Sequence, residues 1–478
     1  MAAGSLVCAL TAGSLAGCSL APHYSAPSVP TSAEFKESGG WQQAAPADAE
    51  SRGAWWEVFN DPELNALEQQ LNDANLDLQG ALARYAQARA VARQSFSDIF
   101  PIVGLRGGAE RSKGAVDTPS GGRIGNSFEL GASLSWELDL FGRLRNTAAA
   151  ARRRAESRAG DAAALQLSLQ AELASDYFSL RGADSDYQLL RDSITAYERA
   201  LDLTRHRYEG GVAAQVDVDQ AETQLQSARA QMAETRLQRA QLEHAIAVLL
   251  GRAPADFSLA EGSFKADTPP IDTGLPSALL QRRPDIASSE RLVAAANAQI
   301  GVARAAWFPV FTLGASAGYA SVMSSTLLHS NNETWSLGPA SVDLPLLDAG
   351  YRAALNSQAR AQYDEAVANY RKTVLTAYQE VEDNLAALRH LTDAVAAEDA
   401  AAAAAQRALF HSNERYSAGV ADYVEVTSVQ TAALQAQRAA LDARVRRVNA
   451  SVTLVRALGG GWSTDAPGVL HLSRPSAP

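Results

Sequence analysis

Residues 314–318, GASAG, carry the G-x-S-x-G spacing that lifts a serine nucleophile onto a sharp strand-to-helix turn in hydrolases. Ser316, however, sits within a strict alternation of Phe311, Leu313, Ala315, Ala317 and Tyr319 against Thr312, Gly314, Ser316 and Gly318. A period of two places Ser316 mid-strand, where no elbow can form. The seven histidines are scattered, with no HExxH and no paired His/Cys spacing, so no zinc signature is present. Gly459-Gly460-Gly461 lacks the Lys-Ser/Thr of a phosphate loop and reads as a helix stop. Asn332-Glu333-Thr334 fits a glycosylation sequon, a pattern of low specificity. The chain is therefore expected to be no enzyme and to hold no metal and no cofactor.

Chemistry is expected instead at the N-terminus. The chain's two cysteines are Cys8 and Cys18, and residues 1–20 carry no charge, like the apolar part of a secretion signal. Leu15-Ala16-Gly17-Cys18 resembles the lipobox of bacterial lipoproteins, in which the cysteine is acylated after cleavage. Residues 1–17 then form the signal peptide and Cys18 the lipid (palmitate) attachment site. Ser19 next to it fits sorting to the outer membrane. The departure is that no Lys or Arg precedes the apolar run. Cleavage before Cys18 leaves a single thiol, which excludes an intramolecular disulfide.

These sites must be positioned by 478 residues that are 47% hydrophobic, ample for a core. A formal charge of -11 argues against a nucleic-acid partner, which requires a basic face. Beyond the N-terminus no run of 18 or more uncharged apolar residues occurs, which disfavours a membrane-spanning helix but leaves a β-barrel open.

The chain repeats itself at a constant shift of 208. Phe100-Pro101 returns as Phe308-Pro309, Gly142 as Gly350, and Tyr208-Glu-Gly-Gly-Val212 as Tyr416-Ser-Ala-Gly-Val420. This gives a lipid-anchored extended segment 18–60, repeat 1 at 61–255, a linker 256–274, repeat 2 at 275–458 and a tail 459–478. Each repeat reads as a helix, a strand pair (102–141 and 310–347), a very long helix, a Gly-containing turn and a second long helix. Asp61 is an N-cap signal with Pro62 at the first helical position, and that helix is expected to run to about Asp98. Its counterpart is expected from Pro284-Asp285 to about Ala306. From Gly142 to Tyr208, and from Gly350 to Tyr416, no proline interrupts a stretch rich in helix formers. Unbroken, each would be about 100 Å long and would need partner helices along its length. Breaks at Gly160 or Gly182 are the alternative, expected in part.

The strands sort their faces. Phe128, Leu130, Ala132, Leu134, Trp136, Leu138 and Leu140 fall on one parity; Glu129, Gly131, Ser133, Ser135, Glu137 and Asp139 fall on the other. Before them, Val103, Leu105, Gly107 and Ala109 oppose Gly104, Arg106, Gly108 and Glu110. The last strand is regular from Gly338 to Leu346 and less so around Trp335. Such alternation also serves soluble half-buried sheets. The lengths, near the ~9–11 residues that cross a bilayer, and the Gly/Ser-rich polar faces favour a barrel with a wet lumen. Four strands cannot close in lipid without unpaired edges. Two copies give eight strands with a filled interior, whereas three give twelve and leave room for water.

With these parts in place the chain resembles the TolC-like outer-membrane factors, specifically their NodT-type efflux lipoprotein branch. The resemblance rests on residues 275–313 (LPSALLQRRPDIASSERLVAAANAQIGVARAAWFPVFTL), 136–146 (WELDLFGRLRN), 207–225 (RYEGGVAAQVDVDQAETQL) and 415–434 (RYSAGVADYVEVTSVQTAAL). It implies a homotrimer: a mixed α/β membrane protein with a 12-stranded outer-membrane β-barrel, four strands per chain, continued by a periplasmic α-helical coiled-coil barrel. It implies the exit duct of a tripartite efflux system, partnered by a periplasmic adaptor and an inner-membrane transporter. Gly210, Gly211, Val212, Ala213 and Gly419, Val420, Ala421 would be the adaptor-docking tips, and Asp422 the channel gate. The repeat mate of Asp422 is Ala214 (422 − 208), so a trimer would present a single ring of Asp422 carboxylates. Like charges at a constriction repel one another and admit cations; the alternative is an ordinary helix N-cap. Asp217 and Glu425 are equivalent positions that would add charge near the same mouth; the alternative is solvated helix surface. A duct for type I protein secretion and a pore-free periplasmic scaffold are the rival functions.

Overall fold

The computed structural model describes residues 19–29, 35–37, 54–113, 122, 124–266, 268 and 283–460. Cys18, the expected signal segment and the tail beyond residue 460 lie outside them. A short 3-10 turn, Trp55–Phe59, precedes α1 (Pro62–Ala74) and α2 (Leu76–Ser97). Then come β1 (Ile102–Lys113), β2 (Ile124–Leu138), α3 (Arg143–Glu209) and α4 (Gln215–Leu249). The second half supplies α5 (Pro284–Ala305), β3 (Val310–Ser321), β4 (Glu333–Asp343), α6 (Tyr351–Ser417) and α7 (Tyr423–Ala457). Adding 208 to either end of α2, β1, α3 or α4 gives the ends of α5, β3, α6 or α7, so the duplication holds element by element.

Two compact units result. Of the described residues, the first comprises those within Ala83–Ala159 and Ser288–Lys372 with 19–28; the second comprises those within Val29–Leu82 and Gly160–Ala287 and from Thr373 to 460.

In the first unit the four strands form one antiparallel sheet in the order β1-β2-β3-β4, leaving β1 and β4 as edges. Directly paired residues share a face. Leu105, Ala132 and Ala317 therefore line up on one side, and Gly104, Ser133, Ser316 and Ser336 on the other. Among the described residues nothing covers the apolar side of the edge strands: Leu105 is 79% and Leu337 87% exposed.

β4 begins at Glu333, two residues before the expected irregular start around Trp335, and ends at Asp343, three short of the expected Leu346; its apparent irregularity has a cause. The β3–β4 register slips by one between Leu313 and Ala315. Trp335 and Leu337 before the slip, and Ala340 and Val342 after it, all oppose apolar-face residues of β3. The bulge moves the apolar set from odd to even numbers while keeping it on one face.

In the second unit a core forms around Trp55, Trp56, Phe59, Leu64, Leu71, Leu173, Phe178, Ile246, Leu250, Val448 and Val452. Each fully buried large side chain contributes about 1.5–3 kcal/mol. Buried residues of α6 recur at Val374, Ala377, Val381, Leu385, Leu388 and Val395, the three-and-four spacing of a coiled-coil seam. α4 and α7 run side by side, with Gln224 accepting from Thr431 and Gln231 from Arg438 at nearly the same level.

Two helix expectations are corrected. The single helix from Asp61 to Asp98 is divided at Asn75. The Asn75 amide oxygen accepts from Leu78 N at 2.9 Å, while its NH2 donates to the Leu249 carbonyl at 2.8 Å. That side chain caps α2 and satisfies a carbonyl at the end of α4 together. Conversely, Gly160 and Gly182 break nothing, and α3 is continuous for 67 residues. A Cβ on Gly182 would lie 2.7 Å from Val445 Cγ2, so this glycine serves a close helix approach.

Candidate functional site

The hairpins α3–α4 and α6–α7 end in turns with one shared backbone. Gly211 and Gly419 are left-handed, at φ 73° and 76°. In the first turn Gly211 N donates to Tyr208 O and Val212 N to Arg207 O; in the second Gly419 N donates to Tyr416 O and Val420 N to Arg415 O. This pair of bonds is the Schellman stop, which demands a residue tolerant of positive φ. Gly210 closes the first helix, and its mate Ala418 closes the second. Val212 and Val420 are pushed outward, 80% and 66% exposed, while Ala213 and Ala421 are partly covered.

The turns differ in their charges. Asp422 occupies the N-cap position of α7, yet its exposed side chain makes no capping bond. Of the two sequence readings, capping thus gains the position without the interaction. At the mate position Ala214, the backbone N–H donates to Asp217 Oδ2 at 3.1 Å, so Asp217 supplies the N-terminal anion of α4. Glu425 takes a different partner, Arg415 Nη1 at 2.8 Å.

Below the turns the sequence reading missed a buried aromatic floor. Tyr416 and Tyr423 stand 5.4 Å apart, packed with Ile194, Tyr197, Leu201, Val218 and Val426. The Thr204 and Tyr416 hydroxyls are 3.2 Å apart. Burial, with neighbouring Tyr416, pushes the Tyr423 phenol up to about 12, so it stays neutral. The signal available was Tyr423, an aromatic whose repeat mate (423 − 208) is Gln215; accordingly Tyr416 is buried where its own mate Tyr208 is exposed. The tips can fix a shape and a charge.

Ser316 lies mid-strand in β3, its hydroxyl 2.9 Å from that of Ser336. No cluster suited to a metal ion occurs among the described residues.

The residues after Cys18 form a strap along α5. Ser19 Oγ donates to Asn146 Oδ1 at 2.9 Å, Arg304 Nη1 to Leu20 O at 3.2 Å, and Asn297 Nδ2 to Pro22 O at 2.9 Å. Tyr24 donates to the Glu290 carboxylate. A Cβ on Gly301 would meet Ala21 Cβ at 2.8 Å, so the strap needs glycine there.

The sequence model of the family described as outer membrane efflux protein matches residues 67–252 and again 275–460. The two matches are offset by the same shift, since 275 − 67 = 208 and 460 − 252 = 208. The chain belongs to the outer membrane efflux protein family. It is 34% identical over 459 residues to the antibiotic efflux pump outer membrane protein ArpC of Pseudomonas putida, covering 95% of each chain. It is 33% identical over 471 residues to outer membrane protein OprJ of Pseudomonas aeruginosa, covering 98% of this chain and 97% of that one. Among solved structures it matches the outer-membrane channel OprN with a TM-score of 0.87 and 30% identity, over 93% of this chain and 100% of that one. It matches the Campylobacter jejuni CmeC outer membrane channel with a TM-score of 0.88 and 26% identity, over 94% and 96%.

Proposed function

We propose that three copies of this outer-membrane efflux protein close one twelve-stranded barrel, and that the assembly is the exit duct for drugs or other small toxic compounds. The observation that carries this reading is the open sheet among the described residues, with β1 and β4 as its edges and the apolar side chains of both edge strands exposed. Unpaired edges in lipid cost several kcal/mol per group, and neighbouring copies supply the missing partners. The related proteins named for antibiotic and toluene efflux support the substrate class.

In this reading a periplasmic adaptor docks on the tips at Gly210 to Ala213 and Gly419 to Ala421, and an inner-membrane transporter supplies the energy. The exposed valines provide apolar contact there. Asp422 is the gate: its uncapped carboxylate is free to join a ring at the entrance. Cys18 carries the acyl chain, and the strap that follows it is tied down through Ser19 to Asn146 and Leu20 to Arg304. The test is single-channel recording in planar bilayers with protein purified in mild detergent. Discrete, cation-selective conductance from a trimeric species supports the duct. A monomeric species with no conductance, before and after Asp422→Ala, excludes it.

A further inference from the structure

The duplication that fixes strand register inside one chain also fixes how one chain meets the next, an inference that rests on the trimer proposed above. β2 and β3 pair with residue numbers summing to 449, as in Phe128 with Ser321 and Leu138 with Phe311. In a closed ring the free edge β4 of one copy meets the free edge β1 of the next in the same antiparallel sense. β4 and β1 are the repeat mates of β2 and β3, so adding 208 to one and subtracting it from the other leaves the sum at 449. β4 keeps repeat numbering at residues 340–343, where its pairs with β3 sum to 653, the β1–β2 sum of 237 plus twice 208. We propose that Asp343 of one copy stands opposite Arg106 of the next (343 + 106 = 449), and that this ion pair closes each seam of the barrel.

Both side chains point to the required face. Arg106 pairs in its own chain with Gly131, and Asp343 with Val310, both on the polar-face parity. The same register sets Val342 beside Gly107 and Ala340 beside Ala109 on the lipid side. Both charged residues are exposed, and neither has an ion-pair partner among the described residues. The equivalent pair inside the chain is Ser135 with Gly314, without charge, so opposite charges stand where copies meet. A slip of two residues would set Asp343 against Gly104 or Gly108 and leave both charges alone; a slip of one would turn the polar face to lipid.

Helix packing beside the sheet agrees. Within the chain, a Cβ on Gly301 of α5 would lie 2.6 Å from Asn146 Nδ2 of α3 as well as 2.8 Å from Ala21 Cβ of the strap. The mates of Gly301 and Asn146 at the seam are Arg93 of α2 and Ala354 of α6 (301 − 208 and 146 + 208), both exposed. Bulk removed from one side of the contact is added on the other.

Paired-cysteine cross-linking of the full-length protein tests the register. Directly opposed residues lie about 4.5–5.5 Å apart and diagonal ones about 7–8 Å, so only the former suit a disulfide. Arg106→Cys with Asp343→Cys should join chains into covalent trimers on non-reducing gels, about tenfold more than Gly108→Cys or Gly104→Cys with Asp343→Cys. Intact trimers cross-linked better through either glycine position would overturn the register and leave the trimer standing. A monomeric unmodified chain would overturn both. In a parallel arm, Arg106→Asp should lower the temperature at which the trimer dissociates, and adding Asp343→Arg should restore it; failure of restoration would overturn the ion pair.

Discussion

Arg207 donates from Nη1 to the Tyr416 carbonyl at 3.0 Å and from Nη2 to the Ser417 carbonyl at 3.2 Å, with its guanidinium 4.4 Å from the centre of the Tyr416 ring. A cation on the first hairpin thereby satisfies carbonyls at the C-terminus of α6 on the second. Its repeat mate Arg415 pairs instead with Glu425 of its own hairpin. The two tips, alike in backbone, are joined by a side chain from the first.

Arg207→Ala should loosen that junction by about 1–2 kcal/mol, the scale of a partly exposed charged hydrogen bond with a cation–π contact. Bilayer recordings should show longer open times, and cells should become more sensitive to large antibiotics. Arg415→Ala should change either quantity less.

Asp422→Asn should reduce cation selectivity, and Asp422→Ala should raise conductance, both with little change in thermal stability because no capping bond is lost. Asp61 is the control: its carboxylate accepts from Glu63 N at 3.0 Å and Leu64 N at 3.2 Å. Asp61→Ala should cost about 1 kcal/mol. An Asp422→Ala variant that melts early with unchanged cation current would make Asp422 a structural cap.

Glu68 on α1 is fully buried, and neither carboxylate oxygen has a hydrogen-bond partner among the described residues. Burial pushes its carboxyl up to about 9, so the folded protein holds a proton there that the unfolded chain releases near the ordinary carboxylate value. Stability from this group is full below that ordinary value and declines as pH rises toward 9. Glu68→Gln should melt higher than the parent at pH 8, by on the order of 1–3 kcal/mol, and nearly level with it at pH 4. Melting curves at the two pH values that stay parallel would show Glu68 to be ionised or paired.

The sequence made the repeating features legible because a 208-residue shift and a period-two face are patterns in one dimension. It left illegible whatever depends on a neighbour far along the chain. Asn75 ends α1 because Leu249 offers it a carbonyl, and Gly182 lies in a helix because Val445 packs on it. Gly182→Ala should therefore destabilise the protein by about 1–3 kcal/mol despite alanine's better helix propensity, a sign that denaturant unfolding can read. At the tips the turn geometry was legible in Gly211 and Gly419, whereas the crossing made by Arg207 was not, since Arg415 shares its local motif and takes another partner.

The bare edges of β1 and β4 carry a genetic consequence. If every ring needs three competent subunits, a defective allele acts on its healthy neighbours. Cells making both kinds in equal amounts would retain only about one wholly normal ring in eight, by random mixing in a closed cyclic assembly. Edge lesions in this gene should therefore behave as dominant.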